Sequence, residues 1–226
     1  MKNEMNILRW GGLAGIIAFT VWIFDLPLYG YVDPFGLEGL MMFPDKIAAL
    51  GMSTILTMAY AFLSVALVLA VYRALRGTGL ASALFGSVLG VIGYIVTALG
   101  DASTFFAFTP LSDLYHASAA TSETQATVVI LWEATMGLTN TFFFVGSFFL
   151  MIGFIVLGLA MLGASAFGKR FGGLSIVLGV IGVVGVVTSL FVPGTIGVQL
   201  IGVSTFANLI FLPIFGWRVY RLSRTA

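Results

Sequence analysis

Six long runs of apolar residues dominate this sequence and decide what the chain can fold into. Of its 226 residues, 60% are hydrophobic and 8% are charged, whereas a soluble domain carries about 25% charged residues. A helix needs about 20 apolar residues to cross the hydrocarbon core of a bilayer. The sequence therefore predicts an all-α, polytopic membrane helix bundle, in which residues 1–226 form a single domain of six transmembrane helices. The spans are predicted near residues 8–29, 46–72, 79–100, 138–163, 171–192 and 196–217, with an outer cap loop over residues 101–137.

The basic residues predict how the bundle is oriented. Of the ten Lys and Arg residues, all except Lys46 lie at one end of the predicted spans. Basic loops stay on the cytoplasmic side of a membrane, so we expect both termini to be cytoplasmic. The first span has a basic start like that of a signal peptide. No cleavage site of small residues follows it, so we expect a retained helix.

Several classes of function are excluded because the residues that they need are absent or lie in the wrong part of the sequence. There is no cysteine and only one histidine, which excludes thiolate metal sites and a haem held by two histidines. Every lysine lies at a helix end, which argues against a mid-bundle Schiff base. A net charge of +1 gives no field that would attract nucleic acid. We therefore expect no bound cofactor and no nucleic-acid partner.

Small and polar residues recur on one face of three predicted helices. At helical spacing, each stripe leads to a carboxylate toward the outer surface. The stripes are Gly86, Gly90, Gly93, Thr97 and Asp101; Gly11, Gly15, Ala18, Trp22, Asp25 and Tyr29; and Glu133, Gly137, Asn140 and Ser147. They predict an outward-opening acidic pocket between helices 1, 3 and 4, and the Gly86–Gly90 pair predicts close helix contact. Ordinary packing of small residues is the alternative interpretation.

Asp25 is the acidic residue that most suggests a site. It lies about 22 Å along the helix from Trp10, inside the outer boundary of the hydrocarbon core, where ionisable residues are usually paired or functional. The alternative is that helix 1 ends early, at Pro27. Polar residues at middle depth are interpreted as helix-to-helix hydrogen-bonding groups; they are Ser53, Thr54, Thr57, Tyr60, Thr188, Ser189, Ser204 and Asn208.

The polar segment 101–125 contains the only histidine. Asp113 and His116 would be neighbours on a helix, and Asp101, Glu123 and Glu133 could complete a metal site. A single histidine without a second one at helical spacing is typical of a solvated residue, so no metal site is predicted. The candidate ligand-binding residues are Asp25, Asp101, His116, Glu133 and Asn140.

Three short motifs resemble those of a known group of proteins. They are "LRWGGLAGII", "YRALRGTGL" and "FGKRFGGLSIVLGVIG". With the layout of the spans, they resemble small prokaryotic six-helix integral membrane proteins grouped as a domain of unknown function. The resemblance implies a six-helix bundle and supplies no activity or functional residue. It is consistent with a multi-pass protein of the plasma membrane, the prokaryotic cytoplasmic membrane.

Three classes of function remain open. The first is an integral membrane protein that binds a partner, or a small apolar or cationic ligand, at an acidic outward-facing mouth. The second is a membrane enzyme with an outer-face carboxylate and histidine site, and the third is a small transporter. Beyond the lipid bilayer, the expected partners are another membrane protein or a second copy of the chain.

The orientation can be tested by labelling, because the chain has no cysteine of its own. Single cysteines at Ser118 or Gly36 are expected to react with a membrane-impermeant thiol reagent from outside intact cells. Single cysteines at Thr78 or Gly168 are expected to react only after the cells are opened. The reverse pattern would overturn the predicted orientation.

Overall fold

The computed structural model describes residues 2–31, 36–192 and 195–225, and these residues form helices without a β-strand. All six helices are long and apolar enough to cross a membrane, which confirms the predicted all-α six-helix bundle. The helices are α1 (Lys2–Tyr31), α2 (Gly36–Leu75), α3 (Leu80–His116), α4 (Ser122–Leu162), α5 (Gly168–Phe191) and α6 (Ile196–Thr225).

The six helices form a closed ring of antiparallel neighbours. Each helix packs on the next one in the sequence, and α1 also packs on α6. Gly11 meets Ala70 of α2, whereas Gly12 meets Gly216 of α6. α2 makes further contacts with α4 and α6 across the ring. Both termini therefore lie at one end with the connections 76–79 and 163–167, here called the proximal end. The connection 117–121 lies at the other, distal end.

The proximal end is the densely packed part of the ring. Its buried apolar cluster draws on α1, α2, α3, α4 and α6. Glu4 of α1 forms ion pairs with Arg73 and Arg76 of α2. The Arg218 side chain donates a 2.7 Å hydrogen bond to the carbonyl oxygen of Ala166. The basic residues that predict the orientation thus also link neighbouring elements at this end.

Glycines bring the backbones of α3 and α4 into direct contact. A Cβ atom at Gly86 would lie 2.8 Å from the amide nitrogen of Leu157, and one at Gly153 would lie 2.8 Å from that of Gly90. Small residues at such positions let helices approach closely in a membrane. The backbones of both Gly86 and Gly90 contact α4, but a side chain added at Gly90 would point to a different helix. A Cβ atom at Gly90 would meet the side chain of Val68 in α2 at an ordinary 3.6 Å.

Three helices are much longer than a bilayer is thick. α5 has 24 residues, or about 36 Å. α2, α3 and α4 have 40, 37 and 41 residues, or roughly 55–60 Å. They continue past the end of α5 as a distal extension, which comprises residues 36–50, 105–116 and 122–136.

The distal extension corrects the predicted outer cap loop. Residues 101–137 are helical except for 117–121. The reason is that apolar faces continue beyond the spans: Phe108 stacks on Trp132 with ring centroids 3.8 Å apart, and Phe43 meets both rings edge-on. These three side chains are buried, so they hold the three helices together beyond the end of α5.

Helix α1 does not end at Pro27. It continues to Tyr31, so the alternative of an early end is wrong. Proline removes one backbone donor, and a position in the last two turns leaves few hydrogen bonds to disturb. Asp25 is therefore a helical residue inside a membrane span.

The backbone contact between α3 and α4 predicts different effects for two alanine substitutions. Gly153→Ala places a methyl group against the Gly90 backbone, whereas Gly90→Ala places one against a mobile Val68 side chain. Both substitutions gain about 1 kcal/mol of helix propensity. The difference between their unfolding midpoints therefore reports the packing at the two sites. Overpacking costs about 1–3 kcal/mol, and we expect a lower unfolding midpoint in detergent for Gly153→Ala than for Gly90→Ala. Equal midpoints would contradict the close approach.

Candidate functional site

A cavity of about 470 Å³ lies at the foot of the distal extension. It is enclosed by α2, α3 and α4, and one residue of α6 reaches it. A volume in this range is typical of sites for small ligands. The lining residues are Phe43, Leu50, Ser53, Thr54, Thr57, Asp101, Thr104, Phe105, Phe108, Met136, Thr139, Asn140, Phe143, Phe144 and Val198.

The polar groups of the cavity wall form a belt between two apolar zones. The belt consists of Ser53, Thr54, Thr57, Asp101, Thr104, Thr139 and Asn140. Gly51 of α2 packs on Phe105 of α3, which puts Thr57 level with the turn before Asp101. Gly100 packs on Phe142 of α4, which puts Asp101 level with Asn140. The apolar residues above this belt are Phe43, Leu50, Phe105, Phe108 and Met136, and those below it are Phe143, Phe144 and Val198.

Asp25 stands directly behind the belt. Its carboxylate oxygen Oδ2 accepts a 3.1 Å hydrogen bond from the Thr57 hydroxyl, and Ser53 lies beside the same carboxylate. Asp25 is only 6% exposed. Its second oxygen, Oδ1, is buried without a hydrogen-bond partner among the described residues. An unsatisfied buried oxygen is costly, so this side chain is the least satisfied polar group near the cavity.

The belt holds one carboxyl group, with a second one behind it, and has no basic partner in the cavity wall. Asp101 lines the cavity, and it is close enough to Asp25 for the two charges to interact. Among the described residues that line the cavity, none is Lys, Arg or His. Two carboxylates that share a poorly hydrated space repel each other unless a cation or a proton compensates them. A cation in the cavity is one way to compensate the two groups.

The exposed residues of the cavity wall lie on α4 and α6. Asn140 and Phe143 line the cavity and are also exposed. Val198 of α6 lines it and is 51% exposed. On the opposite side, the hydroxyls of Thr104 and Thr139 form a hydrogen bond that joins α3 to α4. The enclosure is thus closed between α3 and α4, and its exposed lining residues lie on α4 and α6.

The structure brings together three of the five candidate residues. Asp101 and Asn140 line the cavity and Asp25 stands behind it. His116 lies 15 residues beyond Asp101 on the same helix, or about 22 Å away, and is exposed. Glu133 is also exposed and does not line the cavity. Ligand binding by any of the five stays a prediction.

The predicted position of the pocket, between helices 1, 3 and 4, is wrong in one element. The wall next to α3 and α4 is α2, which packs on both α1 and α3 and supplies five of the lining residues. The stripe on α4 fails for a related reason. Trp132 and Met136 are buried and fix the inward face of α4, which turns Glu133 and Gly137 outward.

The histidine is not part of a metal cluster. Its ring nitrogen Nδ1 lies 2.9 Å from the carbonyl oxygen of Ser112, one turn earlier. The described part of the chain contains no group of three or more His, Cys, Asp or Glu side chains that could hold a metal ion. His116, Glu123 and Glu133 therefore do not converge on Asp101.

The polar residues of α2 are the part of the site that the sequence interpretation missed. Ser53 and Thr57 are four residues apart and so share a helix face, a spacing that could have revealed them. They were interpreted as packing groups, and Thr57 does form a hydrogen bond between helices, to Asp25. Ser204 confirms the same interpretation for α6, because its hydroxyl donates to the carbonyl oxygen of Leu178.

No protein-family model, no curated protein and no solved structure matches this chain. The resemblance to prokaryotic six-helix membrane proteins therefore stays a prediction.

The Thr57 hydrogen bond generates a stability prediction. Thr57→Val keeps the shape of the side chain and removes the donor to buried Asp25, which should cost about 1–3 kcal/mol and lower the unfolding midpoint in detergent. Thr54→Val is the matched control, because Thr54 lines the same cavity.

The assignment to Asp25 is checked in a second background. With Asp25→Ala already present, Thr57→Val should have almost no further effect on the midpoint. An undiminished effect there would show that the Thr57 hydroxyl acts through another group.

Proposed function

We propose that this integral membrane protein binds a small lipophilic cation in the cavity. The observation that carries the proposal is the composition of the cavity wall: aromatic and aliphatic side chains surround a belt that holds Asp101, with Asp25 behind it and without a basic lining residue. A cation with apolar substituents complements both parts of this wall.

The aromatic residues support a cation over a neutral ligand. Phe43, Phe105, Phe108, Phe143 and Phe144 line the cavity, and the faces of aromatic rings attract cations, quaternary ammonium groups above all. The hydroxyls of the belt can accept or donate hydrogen bonds but add no charge. An anion would meet repulsion from both carboxylates, so the charges of the cavity disfavour acidic ligands.

The proposal includes an orientation and a location. The positive-inside rule puts the proximal end, with its Lys and Arg residues, in the cytoplasm and the cavity at the outer surface. With this orientation, the ligand is taken up from outside the cell or from the outer leaflet of the plasma membrane. A protein partner or a second copy of the chain stays possible at the exposed faces of the distal extension.

Transport is a second candidate, and one observation favours it. A second void, of about 20 Å³, lies inside the ring on the proximal side, where Ser175 and Asn208 are among its lining residues. A cavity above a small closed void is the arrangement expected of a carrier that is closed on one side. Ligand-dependent flux in liposomes would separate transport from binding alone.

The binding proposal is tested with a matched pair of probes. Benzyltrimethylammonium and neopentylbenzene have the same shape and differ in one positive charge. We expect benzyltrimethylammonium to raise the unfolding midpoint of the purified protein in a saturable manner, because a ligand at 100 times its Kd stabilises the folded state by about 2.7 kcal/mol. The neutral probe should give a much smaller shift.

The charge requirement is tested by Asp101→Asn, with Asp113→Asn as the control. Asp113 is an exposed acid on the same helix, outside the cavity wall. Asp101→Asn should abolish most of the cation-dependent shift, whereas Asp113→Asn should leave it unchanged. Equal shifts from both probes, or an unchanged shift in Asp101→Asn, would contradict the proposal.

A further inference from the structure

The opening of the cavity lies at the level where α5 ends. A Cβ atom at Gly179 of α5 would meet Met151 and Ile155 of α4. Counting along these antiparallel helices puts Phe191, the last residue of α5, level with about residue 141 of α4. Beyond Asn140, therefore, α4 has no α5 neighbour among the described residues. The short α5 is what leaves this side of the cavity without a wall.

The residues at the end of α5 and the start of α6, which border the opening, are apolar and exposed. Phe191 is 79% exposed, and Leu190, Val192 and Ile196 around it are also exposed. In a membrane protein such side chains face lipid. The belt, at the same level, lies about 30 Å from the start of α5 at Lys169, which matches the outer boundary of the hydrocarbon core. An amphiphile dissolved in the bilayer holds a charged head at this boundary.

The other end of the cavity offers no comparable path. Phe43, Phe108 and Trp132 close the roof and are almost fully buried. Asp101, in the belt, and Phe108, in the roof, are seven residues apart on α3, so the roof lies about 10 Å above Asp101. A long alkyl chain is longer than this height. If the head group of a ligand is bound at Asp101, its long alkyl chain can leave the cavity only through the side opening.

We propose that the occupant of the cavity is a single-chain cationic amphiphile that enters laterally from the bilayer, with its head at Asp101 and its chain leaving over Val198 and Phe143. The inference rests on the proposed function and specifies its ligand class. The apolar side opening and the acidic belt at the bilayer boundary complement the chain and the head of one such molecule.

The path of the chain can be followed by fluorescence quenching in nanodiscs. The probe is hexadecyltrimethylammonium with bromine on the sixth carbon of its chain, because bromine quenches tryptophan at short range. Three reporters share a background in which Trp10, Trp22 and Trp217 are replaced by Phe. One retains Trp132 at the roof. The other two carry Trp132→Phe with Val198→Trp or Phe143→Trp at the opening.

A fourth variant measures nonspecific partitioning of the probe. In the background without native tryptophan it carries Leu99→Trp, which replaces an exposed residue on α3 two positions before Asp101 and hence at the same depth. We expect saturable quenching of the Val198→Trp and Phe143→Trp reporters, several times larger than the quenching of Leu99→Trp. Benzyltrimethylammonium should displace it, and Asp101→Asn should remove it.

Two results would overturn lateral access. One is saturable quenching of Trp132 without quenching at the opening, which would place the chain under the roof. The other is quenching at the opening that is linear in probe concentration and equal to that of Leu99→Trp. Failure of the proposed function itself is separate: benzyltrimethylammonium would then give no shift of the unfolding midpoint in the unmodified protein.

Discussion

The backbone contact between α3 and α4 is the constraint on which the site depends. Glycines recur at seven-residue spacing along the contact, and such a repeat keeps one face of a helix on its partner. On α3 the repeat is Gly86, Gly93 and Gly100, and on α4 it is Gly153 and Gly146, followed by Thr139 and Trp132. The backbones touch as long as glycines meet. Where Thr139 and Trp132 replace them, side chains join the two helices, because Thr139 bonds to Thr104 and Trp132 stacks on Phe108, and the cavity lies beside this stretch.

The lengths of the helices then determine which way the cavity faces. A membrane span must satisfy its backbone hydrogen bonds internally, so each helix can end only near or beyond the bilayer boundary. α5 ends at Phe191, close to that boundary, whereas α2, α3 and α4 continue. The three long helices supply a wall and a roof, and the short one leaves an opening. A cavity with apolar surroundings at a charged boundary is the direct consequence.

The sequence predicted the number and type of helices because hydropathy alone determines them. It did not predict the distal extension, because residues 101–137 mix polar side chains with an apolar face that becomes visible only when Phe108 and Trp132 are brought together. Asp25, Asp101 and Asn140 were recognised by their depth and spacing. Glu133 was misplaced, since the inward face of α4 is set by contacts with α2 and α3 that no single helix reveals.

The role of α2 was the largest omission, and it has a physical cause. Ser and Thr side chains serve both for helix packing and for ligand contact, so their presence in a span does not distinguish the two uses. Only the neighbours decide. Thr57 contacts the buried carboxylate of Asp25, whereas Ser204 contacts a main-chain carbonyl group.

The position of the belt also determines which cations the cavity can distinguish. A small inorganic cation loses its hydration shell on binding, and calcium, for example, needs about six to eight oxygen ligands at close range. An organic cation keeps its charge spread over a larger surface and loses little hydration. Because apolar side chains lie both above and below the belt, a charge carried among apolar substituents satisfies the carboxylates and the aromatic wall together. In the proposed function, selectivity would therefore come from where the charge sits in the ligand, and the two carboxylates alone would not provide it.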